Sequence, residues 1–171
     1  MVKTLLDFFK TALSSKFSKK KNKTTKGGKS YCSLIFSFNN FNEPKVFLNH
    51  IGEEKLENVS ITIFDSEKIK QIIHLESTNP EAFTSKYKDC FNKYHFERIF
   101  PNALYPNIPV DFDQSKPHID LVVEIRFANR FLKQTLIIEN YKLPDRIIKN
   151  TIEESGKVLV QSQTGYRGKA K

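Results

Sequence analysis

The chain of 171 residues contains no tryptophan, six glycines, seven prolines and two cysteines. Each scarcity closes off a class of protein. Cys32 and Cys90 lie too far apart for a metal-ligand pair and are too few for a disulfide framework. Each reads as a reduced thiol filling core space. With so little glycine and proline, collagen-like and linker-like chains are excluded. No apolar run reaches about 18 residues, so no segment reads as a bilayer-spanning helix. No G-x-S-x-G elbow occurs, and Lys26-Gly27-Gly28-Lys29 is too short for a phosphate loop and follows no strand. The four histidines, at 50, 74, 95 and 118, show neither H-x-x-x-H nor H-E-x-x-H spacing.

What is present is bulk. Hydrophobic residues make up 39% of the chain, with fifteen Phe and six Tyr. That is core material for one domain of ordinary size. The net charge of +9 is unevenly placed. Nine lysines against the single Asp7 give residues 1–30 a charge of +8. Arg167, Lys169 and Lys171 give 163–171 a charge of +3, which leaves −2 for residues 31–162. The basicity therefore belongs to the two ends, and the middle offers no broad cationic face to nucleic acid.

Residues 2–17 carry Val2, Leu5, Leu6, Phe9, Ala12, Leu13 and Phe17 at helical spacing, with Lys3, Asp7 and Lys10 on other faces. Lys19, Lys20, Lys21 and Lys23 follow, then Gly27-Gly28. The pattern predicts an amphipathic helix and a flexible basic linker over 1–30. One use for such a helix is packing on the domain or on a protein partner. Another is an anionic membrane surface, where each basic residue contributes about 1 kcal/mol. A third is a nucleic-acid-binding tail. Composition also allows an organelle transit peptide, whereas Asp7 and Lys10 interrupt the apolar stretch a secretory signal requires.

From Tyr31 the period becomes twofold. His118–Phe127 alternates cleanly, with Ile119, Leu121, Val123, Ile125 and Phe127 on one side and Asp120, Glu124 and Arg126 on the other. Asn58–Asp65 repeats the pattern with Val59, Ile61 and Ile63. The apolar sides of these two segments are expected to meet in one core. Tyr31–Phe38, Pro44–Ile51, Ile69–Leu75, Arg130–Asn140 and Lys157–Gln161 are further strand candidates, and Ala128-Asn129 reads as a tight turn. Asn79-Pro80-Glu81 starts a helix expected over 80–95, crossing between strands. Asp145–Asn150 reads equally as a short helix or a strand. The sum is a domain over 31–162 with a basic tail at 163–171.

The segment Val46-Phe-Leu-Asn-His-Ile-Gly52 followed by Leu56-Glu-Asn-Val-Ser-Ile-Thr-Ile-Phe-Asp65 resembles the early strand pair of immunoglobulin-like sandwiches found in many uncharacterised, often membrane-associated, bacterial proteins. The resemblance covers residues 46–65 closely. It departs at His50-Ile51, which stand inside the turn pattern. It implies an immunoglobulin-like antiparallel β-sandwich and a non-enzymatic domain with no defined ligand, cofactor or metal.

One catalytic pattern competes. Asp111 or Asp113, followed by Glu124-Ile125-Arg126, resembles the Asp…Glu-x-Lys arrangement of metal-dependent nucleases, where two carboxylates share a divalent cation. Arg in place of Lys departs from it, since Arg does not serve as a neutral base. Asp120 is not the partner, because four residues of strand put it about 13 Å from Glu124. His118-Ile-Asp120 reads as a surface pair.

The expectation is a cytoplasmic, non-enzymatic interaction or scaffolding domain with a protein partner. Its membrane or partner contacts are assigned to Leu5, Leu6, Phe9, Leu13, Phe17, Lys19, Lys20, Lys21 and Lys23, with peripheral membrane association. The alternatives are nucleic-acid binding through the tails and the nuclease.

The apolar stripe separates lipid from nucleic acid. Lipid rewards its burial at about 25 cal/mol per Å², and a phosphate backbone does not. Peptide 1–26 is expected to become helical on anionic vesicles. Phe9→Ser should weaken vesicle binding while leaving DNA binding, and vesicle binding unaffected by Phe9→Ser would exclude lipid insertion.

Overall fold

Period-two segments of β-branched and aromatic residues become strands, and their apolar faces must find a second layer. The computed structural model describes residues 30–38, 44–106, 108–111, 116–140 and 145–167. The predicted N-terminal helix and its lysines lie outside the described residues, as does Asp113. Described strands are β1 (Tyr31–Phe38), β2 (Pro44–Ile51), β3 (Leu56–Asp65), β4 (Phe91–Ile99), β5 (Leu104–Tyr105), β6 (Ile119–Phe127), β7 (Arg130–Glu139), β8 (Asp145–Glu154) and β9 (Lys157–Arg167). They form a three-stranded sheet in the order β1-β2-β5 and a six-stranded sheet in the order β4-β3-β6-β7-β8-β9. Every pairing is antiparallel. The fold is mostly β, a sandwich of three strands on six.

The two sheets share one core. Cys32, Leu34, Phe36, Val46 and Leu48 come from the small sheet and meet Val59, Ile61, Ile63, Leu121, Val123, Ile125, Leu132, Leu136 and Ile138 of the large one. Ile61, Ile63, Leu121, Val123 and Ile125 are at most 1% exposed, as the alternation requires. Ala128 and Asn129 form the turn between β6 and β7. Both cysteines are buried and free, and burial pushes the Cys32 thiol up to about 12. Gly52 is required where it stands. Its φ is +112°, and a Cβ there would lie 2.3 Å from the Ser30 hydroxyl.

Three elements differ from the sequence expectation. Ile69–Leu75 is not a strand. Residues Ser66–Ile72 form helix α1, because the Asp65 carboxylate accepts from the Glu67 and Lys68 N–H groups and turns the chain at the end of β3. Ile69 and Ile72, three apart, then share the buried side. The helix expected over 80–95 stops early. After α2 (Leu75–Thr78), α3 spans Pro80–Tyr87, with the Asn79 side chain accepting from Ala82 N–H as its cap. A 3₁₀ turn at Lys88–Cys90 follows, and Phe91 enters β4 because it pairs with Phe64 of β3. The insertion therefore joins two neighbouring strands of one sheet. It buries Phe64, Ile69, Ile72 and Cys90 in a second, smaller core that includes Val122 on the outer face of β6. At 145–154 the chain is strand, and β9 runs on to Arg167, into the segment read as a tail. The segments 46–51 and 56–65 that carry the immunoglobulin-like resemblance enter different sheets.

One polar residue sits inside the core. Gln134 is fully buried, in phase with Leu132 and Leu136 on β7. Its amide meets the free edge of β1. Leu34 N–H donates to Gln134 Oε1 at 2.8 Å, and Gln134 Nε2 donates to Leu34 O at 2.7 Å and to Asn150 Oδ1 at 2.9 Å. Both N–H hydrogens of the amide are used, and a buried edge residue gains a donor and an acceptor from a side chain in the opposite sheet. Gln134→Leu adds no bulk problem but strands the Leu34 N–H and C=O. It is expected to cost about 2–5 kcal/mol in urea unfolding, comparable with Leu121→Ala. A loss below about half a kcal/mol would show that the clasp is dispensable.

Candidate functional site

Sheet edges expose unpaired backbone groups, so how each edge is treated separates structural from interacting surfaces. Among the described residues there are four edges, β1 and β5 in the small sheet and β4 and β9 in the large one. β5 is two residues long. β4 carries Lys93, Glu97 and Arg98, and the segment before β6 lies against it: Tyr94 OH donates to Pro109 O, and Asp111 N–H donates to Asn92 Oδ1. Charge and cover both discourage a further strand there.

β1 is closed from the other sheet. Besides the Gln134 clasp, Arg130 Nη1 donates to Ser30 O at 2.6 Å. Arg130 also holds Glu154 through Nε at 2.6 Å and Nη2 at 3.0 Å, a bidentate pair. At the far end Arg146, a residue 5% exposed, sets its guanidinium 4.2 Å from the centre of the Phe38 ring. Residues 30, 34 and 38 of the β1 segment are thus gripped at intervals of four by β7 and β8.

β9 is neither short nor charged in its interior, and a bulge is its one protective feature among the described residues. Between Lys157 and Arg167 it has no charged residue and no proline. Residues 157–165 are exposed, except for the half-buried Val160. Val158 is 55% and Leu159 43% exposed. No atom lies within 4 Å of where a Cβ on Gly165 would stand. The strand is presented by a tight hairpin, with Ser155 and Gly156 both at positive φ. Leu159 is the extra residue of a bulge between the pairs Ile152–Val160 and Glu153–Val158. β9 lies one strand beyond β8, and Val160 is the β9 residue that packs against the main core.

The nuclease residues are engaged separately. Asp111 is exposed and bonded to Lys68 of α1 at 2.9 Å. Glu124 is nearly buried and bonded to Arg126 at 3.2 Å. Asp120 lies 3.6 Å from Lys70. Among the described residues no three His, Cys, Asp or Glu side chains are grouped to hold a metal. No described helix is long and apolar enough to cross a membrane. Comparison with protein-family models, with curated proteins and with solved structures finds no match.

Sequence reasoning passed over the clasp and the open edge. The signal for the clasp was present: Gln134 and Asn150 occupy the apolar phase of their strands. For β9 there was a run of eleven residues without an acid, but no way to know which strand would be last.

Glu154 is the titratable group of this region. Its bonds from Arg130 hold its carboxyl below the ordinary carboxylate range. Stability from this pair is therefore complete above that ordinary range and is lost as pH falls through the depressed value. Thermal midpoints measured from neutral to acid pH should fall less steeply in Glu154→Gln than in wild type. An unchanged acid slope would show that the pair adds nothing to folding.

Proposed function

We propose that the protein is a non-enzymatic interaction or scaffolding module that receives an extended partner segment along β9. The observation that carries this is the contrast among edges. Three are short, covered or charged, and β9, the longest described strand, is exposed along most of its length and interrupted only by the bulge at Leu159. A partner strand there gains main-chain hydrogen bonds for affinity and contacts with alternate side chains for specificity. The immunoglobulin-like resemblance of residues 46–65 points the same way, toward binding.

The basic N-terminal segment completes the proposal. Leu5, Leu6, Phe9, Leu13 and Phe17 with Lys19–Lys21 and Lys23 would hold the domain at an anionic membrane surface, on its cytoplasmic side. Support for that part is the charge and apolar pattern alone. The separate engagement of Asp111 and Glu124 weighs against a shared catalytic cation.

Peptides selected from a random display library on the full chain should include binders that lose affinity by about tenfold or more on Gln163→Pro, which removes one outward N–H from the edge. The same peptides should bind Glu124→Gln normally. Circular dichroism would confirm that both variants stay folded. If every selected peptide ignored Gln163→Pro and a second edge change, Thr164→Lys, the β9 proposal would fail.

A further inference from the structure

We infer that residues 2–17 dock on the outer face of the small sheet and must leave it to enter lipid. The inference rests on the amphipathic reading of that segment and does not involve β9.

Residues paired across antiparallel strands share a face. The register sets Ile35 beside Phe47 and Leu104 beside Asn49, in phase with Phe47 along β2. These residues point away from Leu34, Phe36, Val46 and Leu48, which fill the main core. Ile35 is 37% and Leu104 50% exposed, and Ile35, Phe47 and Leu104 pack in neither core. Each of the three strands thus gives one apolar residue to a patch that the cores do not use.

Attachment, size and charge choose the occupant. The described chain starts at Ser30, one residue before β1, an edge strand of this sheet. Residues 18–29 reach up to about 40 Å, enough to fold back along β1, which is about 26 Å long. Such a tether holds the segment near the face at a roughly millimolar effective concentration. A helix over 2–17 would be about 24 Å long and about 10 Å wide. Three strands are about 10 Å across, so the face takes one helix along its length. Glu53 and Glu54 are exposed in the turn beside the chain entry, where Glu54 N–H donates to Ser30 Oγ at 2.9 Å. Lys19, Lys20, Lys21, Lys23, Lys26 and Lys29 run into the same point. The two carboxylates attract that basic run and repel an anionic lipid surface.

Leu5, Leu6, Phe9, Leu13 and Phe17 then cover Ile35, Phe47 and Leu104. The same stripe serves lipid insertion, so docking and membrane attachment exclude each other. Docking is the membrane-free state. A segment docked in about nine chains of ten binds lipid about tenfold more weakly than a free one.

The chain has no tryptophan, so Phe9→Trp gives the full chain a single emitter on the stripe. Without lipid, it should emit to the blue of peptide 1–26 carrying the same change and be quenched less by acrylamide. Adding Leu104→Asp, or Glu53→Lys with Glu54→Lys, should move the emission toward that of the peptide. Phe131→Asp, on β7, should not. All these positions on the domain are exposed, so the fold survives each change. Leu104→Asp should also tighten binding to anionic vesicles by about tenfold. Dilution should leave the emission unchanged, because the contact lies within one chain. Full-chain emission equal to that of the peptide would overturn the inference. So would emission that neither the Leu104 nor the glutamate change moves, or a blue shift lost on dilution, which would assign the face to a second copy. Vesicles that fail to bind peptide 1–26 would refute the membrane reading alone, since emission without lipid still decides the docking.

Discussion

The buried edge of β1 is the constraint on which the sandwich depends. The small sheet has three strands, one of them two residues long, and a sheet of that size has little independent stability. Its outer strand lies over the large sheet with backbone groups that water does not reach. A hydrogen bond between such groups adds only about 1 kcal/mol net, but leaving a buried partner unmade costs more. Gln134 resolves this with one side chain, since a carboxamide offers the same donor and acceptor as a peptide unit. Arg130 does the same for Ser30 O while holding Glu154. Both grips span a sequence separation of 100. They tie the start of the chain's β region to the middle of the sheet and set which part of β1 stands over β7.

The mismatch between three strands and six follows through to the surface. With β1 gripped by β7 and β8, β9 gives only Val160 to the main core, and its other residues through Gly165 stay exposed. On the opposite face of the large sheet, the insertion between β3 and β4 covers one end. Phe83, Tyr87 and Phe91 pack there beside Phe64. The Phe83–Tyr87 and Tyr87–Phe91 rings stand 5.5 and 5.3 Å apart. The domain has thus spent its apolar side chains on two cores and left β9 exposed along most of its length.

Electrostatics divide the same way. The near-neutral stretch 31–162 forms local pairs, Lys68 with Asp111, Lys70 with Glu67, and Lys149 with Glu139. These are exposed or half-exposed contacts that contribute little to folding. The excess positive charge sits at the chain ends. A neutral edge on a neutral domain suits association by backbone pairing, and basic ends suit attraction to an anionic surface.

Strand identity was legible wherever alternation was clean. β1 and β2 begin and end where the pattern places them, and β6 and β7 differ by one residue. Local chemistry also placed the Asn79-Pro80 helix start, because a cap and a proline act within one turn. Local apolar runs misled where two periods overlap. Ile69, Ile72, Ile73 and Leu75 fit a strand by composition, and only the Asp65 cap turns them into helix. Phe91 and Tyr94 fit a helical spacing, and only pairing with β3 makes them strand. By itself the sequence determined a mostly β domain, its buried faces and the separation of its charge. Tertiary structure alone decided which strands became edges, which edge was closed by Gln134 and Arg130, and which was left open. Those outcomes depend on contacts between residues a hundred positions apart, and no local period encodes them.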